Sequence, residues 1–334
     1  MITNLKNPTS QDVAKLAGVS QSAVSRCFTK GSSISNRMRL RVIEAAKQLG
    51  YKPDIYNANS ISNDIGGLVG VILPYITNRY YPEVLTELHE ALRNNGFRVL
   101  LITTDDDEEV DEKLIPNNIR DKLTAIVSAT KPSDSFVTSC IENHIQVIAY
   151  NRNWNIPTTC SVACDHKGGG EQVAQYFYDK GHRNIGIIKG PDDSFVSQQR
   201  CKGFINHLKT LGINKISTAK GSFTYEGGRE ASKTLLRNKK LSALFCADDT
   251  MAFGCLDYIK NNTKLKIPGQ LEIIGYDDKS VAEWISYNLT TIRQPIRQMA
   301  KLTTQLILDY IKDPEFEPVD HLVQGKFIKR KTTR

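Results

Sequence analysis

The chain has 334 residues, 40% hydrophobic and 24% charged, with 22 glycines and 12 prolines. That suggests about two domains of roughly 150 residues with real cores and excludes collagen-like, wholly disordered and membrane-spanning chains, since no run reaches ~18–20 apolar residues. The net charge of +8 sits at two ends: residues 1–65 hold nine Lys/Arg and four Asp/Glu, residues 325–334 hold five and none, and the 259 residues between them hold 30 and 32.

A short basic module points to nucleic acid or an anionic membrane surface; two solvated, poorly ordered ends are the plainer alternative. Patterning decides. Thr9-Ser10-Gln11-Asp12 can form a capping box, with Asp12 standing in for Glu at the third helical position. Val13, Leu16 and Ala17 follow at i, i+3 and i+4, and Gly18 supplies the left-handed residue that ends the helix. Ser20 is a strong N-cap for a second helix with Val24, Cys27 and Phe28 on one face. Lys30-Gly31-Ser32-Ser33 breaks the chain. A third helix carries Val42, Ala45, Ala46 and Leu49 on one face and closes at Gly50.

Two short helices joined by Gly-Val-Ser fit a helix-turn-helix, whose second helix enters the major groove of DNA. The outward face of that helix is Gln21, Ser22, Ser25 and Arg26. Gln bonds bidentately to adenine and Arg to guanine, and Ser reaches bases or phosphates. A three-helix bundle with a solvated polar face is the competing reading.

From residue 66 short apolar strands alternate with amphipathic helices. Leu68–Leu73, Arg98–Thr103, Ala125–Ser128 and Gln146–Tyr150 read as strands, and a helical pattern between them carries Val84, Leu85, Leu88 and Leu92. A second series has strands at Ile185–Lys189, Ala243–Cys246 and Glu272–Tyr276, with a helix presenting Cys201, Phe204, Ile205 and Leu208 and others near 225–237 and 250–261. Such alternation implies parallel sheets covered by helices on both faces. Two series predict two doubly wound subdomains with a cleft between them for a small ligand.

Enzyme signatures fail one by one. Gly181 and Gly186 have P-loop spacing, but Ile187-Ile188 replaces the Lys-Ser/Thr that holds phosphate and magnesium. Gly168-Gly169-Gly170 opens a helix, yet Val173 occupies the third glycine position of a dinucleotide fingerprint; a flexible helix start is the expectation. There is no Gly-x-Ser-x-Gly elbow and no His-Glu-x-x-His. Cys160 and Cys164 lie four apart near His166, a spacing unlike structural zinc, so no metal and no cofactor is expected. Met1–Ser10 is polar, without the apolar core of a secretory signal. The seven cysteines are therefore expected to be reduced thiols of a cytoplasmic protein.

Asp12-Val13-Ala14-Lys15-Leu16-Ala17-Gly18-Val19-Ser20, Val24-Ser25-Arg26 and Leu49-Gly50-Tyr51-Lys52-Pro53 resemble the headpiece of the LacI/GalR family of transcriptional regulators. The body is similar to that family too, at Gly181-His182-Arg183-Asn184-Ile185-Gly186, Arg200-Cys201-Lys202-Gly203-Phe204, Ile274-Gly275-Tyr276-Asp277-Asp278 and Leu289-Thr290-Thr291-Ile292-Arg293-Gln294-Pro295. The resemblance implies a small all-α helix-turn-helix headpiece before a two-subdomain, periplasmic-binding-protein-like α/β core. It places the headpiece at 1–52, a hinge at 53–65, one subdomain at 66–163 and 295–321, and the other at 164–294 and 322–334. Crossovers are expected near 163–165, 291–295 and 320–323. It further implies a homodimeric repressor of palindromic double-stranded operator DNA, not an enzyme, whose effector changes the subdomain angle. No leucine heptads follow residue 311, so a tetramer-forming tail is not expected. The rivals are a cytosolic sugar-binding α/β protein or enzyme with an unrelated basic tail, and an exported solute-binding protein, which needs a signal sequence.

Carried over residue by residue, the resemblance places Tyr80, Tyr81, Arg152, Arg200, Phe223, Asp248 and Asp277 at the effector. Aromatic faces and acidic acceptors suit a sugar or sugar derivative; Arg152 and Arg200 would also suit a sugar acid. Loop caps and an internal salt bridge at Arg200 are the structural alternatives. In the hinge the sequence departs from its family. Counting from Pro53, Asn57, Ala58 and Ser60 fall where relatives have Ala, Arg and the Leu that wedges a base step. A one-residue shift makes Ile61 the wedge and so a DNA contact, in a segment expected to fold only on DNA.

Overall fold

The structure, a computed structural model, describes residues 8–28, 34–51, 67–74, 80–104, 110–111, 113–237 and 240–334. The hinge, with Ser60 and Ile61, lies outside the described residues. The chain forms two compact units, Met1–Gly67 and Leu68–Arg334.

The first unit holds α1 (Ser10–Ala17), α2 (Gln21–Phe28) and α3 (Asn36–Leu49). Thr9 and Asp12 make the full capping box on α1, and Gly18 ends it at φ 63°. Val13, Ala14, Ala17, Val24, Cys27, Val42, Ala45 and Ala46 form the core. Leu16 corrects the expected stripe: it is 49% exposed. Ala14 takes its place, because two small alanines let α1 come close to its neighbours. Arg41 donates to the Ala17 carbonyl at 2.5 Å and Arg39 to the Cys27 carbonyl at 3.2 Å. Both sit where a helix C-terminus favours a cation, so α3 fastens the ends of α1 and α2.

The second unit runs β1 (Leu68–Pro74), α4 (Tyr80–Arg93), β2 (Arg98–Thr104), α5 (Asn117–Arg120), β3 (Leu123–Ser128), α6 (Asp134–Glu142), β4 (Gln146–Tyr150) and β5 (Cys160–Cys164). It continues with α7 (His166–Asp179), β6 (Ile185–Lys189), α8 (Phe195–Thr210), β7 (Ile216–Lys220), α9 (Tyr225–Leu236), β8 (Ala243–Cys246), α10 (Asp249–Asn262) and β9 (Glu272–Ile274). A 3₁₀ turn at Ser280–Glu283, β10 (Thr291–Arg293), α11 (Ile296–Lys312), β11 (Asp320–Val323) and β12 (Lys326–Ile328) complete it.

Two parallel sheets result, in the orders β11-β5-β4-β3-β1-β2 and β7-β6-β8-β9, with β10 and β12 as an antiparallel pair. Central strands such as β4 and β5 are buried throughout, whereas the edge strands β2 and β7 are partly exposed. Burial on both faces produces the unbroken apolar runs. β5 and β11 belong to the first sheet, and the chain passes between the sheets after β5, before α11 and after β11.

The glycine triplet has a packing role rather than a flexible one. A Cβ on Gly170 would stand 2.3 Å from the Arg200 carbonyl oxygen, and one on Gly203 would stand 2.0 Å from that of Lys167. These glycines let α7 and α8 touch backbone to backbone. The basic C-terminal end is likewise held in the fold. β12 pairs with β10, Arg330 reaches Asp278 at 2.6 Å, and Arg334 reaches the fully buried Glu272 at 2.8 Å. Two of its five cations thus serve as partners for acids of the second layer.

Candidate functional site

In the first unit, α2 starts at Gln21 because Ser20 Oγ accepts the Ala23 N–H at 3.2 Å. With Val24 and Cys27 turned into the core, Gln21, Ser22, Ser25 and Arg26 all lie exposed. Gln21 Nε2 donates to Ser10 Oγ at 3.0 Å, and Arg26 folds back on the Ser22 carbonyl and hydroxyl at 3.3 Å each. Exposed hydrogen bonds of this kind exchange with little net cost for bonds to another partner. Arg39 and Arg41 are committed to helix ends. Arg26 is the arginine that α2 itself presents.

In the second unit, the C-terminal ends of the parallel strands gather polar side chains from both sheets. Arg200, on α8 and 2% exposed, is held on four sides. Its Nη2 donates to Asp277 Oδ1 at 2.7 Å, its Nη1 to the Ala247 carbonyl at 2.7 Å and its Nε to His166 Nδ1 at 3.4 Å. Its plane lies 3.8 Å from the ring centroid of Tyr276. Asp277 Oδ1 also accepts from Gln294 Nε2 at 2.7 Å, and Oδ2 lies 3.4 Å from Lys279 Nζ. Lys279 Nζ donates to Asp248 Oδ2 at 2.5 Å and to Thr250 Oγ1 at 2.7 Å. Two buried cations thus face two buried carboxylates, the matching that burial of charge demands. Burial alone would pull the Lys279 ammonium down, but Asp248 and Asp277 outweigh it and raise its pKa, so it stays charged.

The first sheet contributes Tyr80, at the start of α4, and Asn151, just past β4. Tyr80 Oη donates to Gln294 Oε1 at 2.9 Å and accepts from Asn151 Nδ2 at 2.9 Å. Asn151 Oδ1 faces His166 Nε2 at 3.0 Å. Asn151 (φ 59°), Asp277 (φ 116°) and Asp278 (φ 57°) have positive φ, which Asn and Asp adopt more readily than other non-glycine residues.

Four of the seven residues expected at the effector therefore lie in one network: Tyr80, Arg200, Asp248 and Asp277. Arg200 and Asp277 hold each other, which is the internal salt bridge among the alternatives, and Asp248 both N-caps α10 through Met251 and pairs with Lys279. Arg152 faces Tyr81 beside the network. Burial lowers its pKa, against the opposing effect of Tyr81, and its Nε finds no hydrogen-bond partner among the described residues. Phe223, at φ 58°, packs its ring against Gly190, just past the end of β6. Asn151, His166, Lys279 and Gln294 are site residues that the sequence reading did not single out. Each adjoins a strand end or a residue already named, and that adjacency was the available signal. Among the described residues no group of three or more His, Cys, Asp or Glu is placed to hold a metal ion, and no helix is long and apolar enough to cross a membrane.

A helix-turn-helix unit followed by a two-sheet binding core defines a DNA-binding transcription regulator. Residues 9–54 match the family described as bacterial regulatory proteins, lacI family, and residues 174–333 match the periplasmic binding protein-like domain. The chain is 27% identical over 333 residues to the probable HTH-type transcriptional repressor ExuR of Bacillus subtilis (strain 168), covering 98% of each. It is 25% identical to the transcriptional regulator CelR in a cellobiose complex, with a TM-score of 0.67 over 98% of this chain and 100% of that one. It shares its fold with the lac repressor dimer bound to operator, with a TM-score of 0.70 and 20% identity over 98% of this chain and 99% of that one. The chain thus joins a lacI-family DNA-binding domain to a periplasmic binding protein-like domain.

Proposed function

We propose that this regulator is a repressor that binds a palindromic operator as a homodimer, under the control of a small carbohydrate effector held in the cleft between the two sheets. The observation that carries the DNA reading is the face of α2, where Gln21, Ser22, Ser25 and Arg26 are exposed together while Val24 and Cys27 turn into the core. Tyr80, Arg200, Asp248 and Asp277 support the effector site, because aromatic, cationic and carboxylate groups from both layers converge there. The ExuR relative is named a repressor and the CelR relative is bound to cellobiose, which favours repression and a sugar. One observation favours a sugar acid as the variant ligand: the half-buried Arg152, whose buried Nε has no hydrogen-bond partner among the described residues, suits a carboxylate.

Two measurements test the reading. Selection from a randomised duplex pool should enrich inverted repeats with half-sites about one helical turn apart; a sequence-neutral outcome would refute it. Thermal-shift screening against neutral sugars and sugar acids should find a stabiliser, since a ligand at 100 times its dissociation constant adds about 2.7 kcal/mol. A response confined to nucleobases or amino acids would refute the carbohydrate assignment.

A further inference from the structure

Six side chains in the cleft close on themselves. Tyr80 donates to Gln294, Gln294 to Asp277, and Arg200 also to Asp277; Arg200 donates to His166, His166 meets Asn151, and Asn151 donates to Tyr80. Tyr80 and Asn151 come from the first layer, and His166, Arg200 and Asp277 from the second. Gln294 lies on a segment that joins them. Each member is buried, at 7% exposure or less.

The polarity of this ring is determined at every joint but one. Arg200 Nε can only donate, so His166 Nδ1 must accept, and the imidazole proton must sit on Nε2, where Asn151 Oδ1 receives it. We propose that His166, as the neutral Nε2–H tautomer, is the residue that locks the two layers together, and that an effector acts by replacing the ring's cross-layer bonds. This rests on reading the cleft as the effector site and adds how that site is kept shut. A proton on Nδ1 would face the Arg200 N–H and break the ring at that joint.

The charged and titratable groups around the imidazole point the same way. Arg200 approaches from α8, Arg152 from beyond β4 and Tyr276 from beyond β9, while Asp277 is already engaged by Arg200. Burial, then Arg200, pushes the His166 pKa well below its usual value. In an opened cleft the ring regains water and its ordinary pKa near 6.5. The fraction opened should therefore rise as pH falls below about 6.5, approaching tenfold per pH unit.

Cys164 reports opening without effector or DNA. It is 1% exposed and its Sγ lies 3.8 Å from Tyr276 Oη, beneath the ring. The full chain is treated with a pyridyl disulfide, and modification of the Cys164 peptide is followed by mass spectrometry, with the fully buried Cys246 as reference. His166→Gln and Tyr80→Phe should each speed Cys164 modification at pH 8 by about tenfold or more. Together they should be no faster than the quicker single variant, because both break one ring. The wild-type rate divided by the His166→Gln rate should climb towards one between pH 7 and pH 5, with thiol chemistry cancelling in the ratio. A flat ratio, or single-variant effects that multiply in the double variant, would overturn the proposal. If His166→Gln does not fold, Tyr80→Phe serves as the reference; protection equal to wild type in that variant also overturns it. Failure to find a carbohydrate effector leaves these outcomes unaffected, so the two readings fail separately.

Discussion

Replacing Arg200 with Met tests whether the pair with Asp277 is structural. The side chain is 2% exposed, bonds Asp277 and the Ala247 carbonyl at 2.7 Å each, and stacks on Tyr276. Breaking a buried ion pair by removing one partner costs about 3–5 kcal/mol, because the other charge stays behind in a poorly solvating place. Here Asp277 keeps Gln294 at 2.7 Å and has Lys279 at 3.4 Å, so the expected loss is at the low end, about 3 kcal/mol. Methionine fills most of the volume, which keeps the cavity contribution small. Asp277→Asn alone should cost a similar amount by stranding Arg200. The double variant should recover part of both losses, with a coupling energy of at least about 1 kcal/mol. Urea midpoints followed by far-UV circular dichroism at fixed pH give all four corners of the cycle. Additivity within about 0.5 kcal/mol would show that the two residues do not depend on each other. A loss below about 1 kcal/mol for Arg200→Met would refute the buried-pair argument. The same cycle supplies the stability baseline against which loss of an effector response must be judged.

Four further outcomes are expected, three from the geometry and one from the hinge sequence. Arg26→Ala should cost roughly 1–3 kcal/mol on the selected operator and relax preference at one base pair; fluorescence anisotropy showing equal weakening on random duplex would make it a phosphate contact instead. Ile61→Ala should reduce operator bending, measured by the mobility of permuted fragments, while Ser60→Ala should not; an undiminished bend removes Ile61 from the wedge role. Gly203→Ala should destabilise by about 1–3 kcal/mol or more through overpacking, because its Cβ meets the Lys167 carbonyl rather than a movable side chain; an unchanged melting temperature contradicts backbone contact between α7 and α8. Arg334→Ala should cost about 1 kcal/mol in thermal unfolding, discounted because Arg334 is 58% exposed although Glu272 is fully buried; no change would mean that His182, 3.4 Å from the same carboxyl group, suffices.

The elements with a strong period were legible from residue type alone. β4, β6 and β8 have the bounds their apolar runs suggest, and Thr9, Gly18 and Gly50 cap helices as their chemistry requires. β7 went unrecognised because Ile216–Lys220 lies at a sheet edge and alternates too weakly to stand out. β10 and β12 are three residues each, and β12 carries the basic residues that make a tail look solvated. Charge is a poor guide to exposure when the partner is distant in sequence: Arg330 is 52 positions from Asp278 and Arg334 is 62 from Glu272.

The same distance problem governs the cleft. Sequence could nominate Arg200 and Asp277 separately, but that they bond one another depends on the folding of a chain that separates them by 77 positions. Asn151, His166 and Gln294 are ordinary polar residues at strand ends until β4, α7 and β10 bring them together. A ligand site built from side chains with free bonding capacity would bind whatever enters. One whose donors and acceptors already satisfy each other admits only a molecule that can replace those bonds, since an unmade buried bond costs more than a made one returns. That condition selects ligands dense in paired donors and acceptors, as polyhydroxylated molecules are, and it makes the shut cleft the state against which any effector must compete.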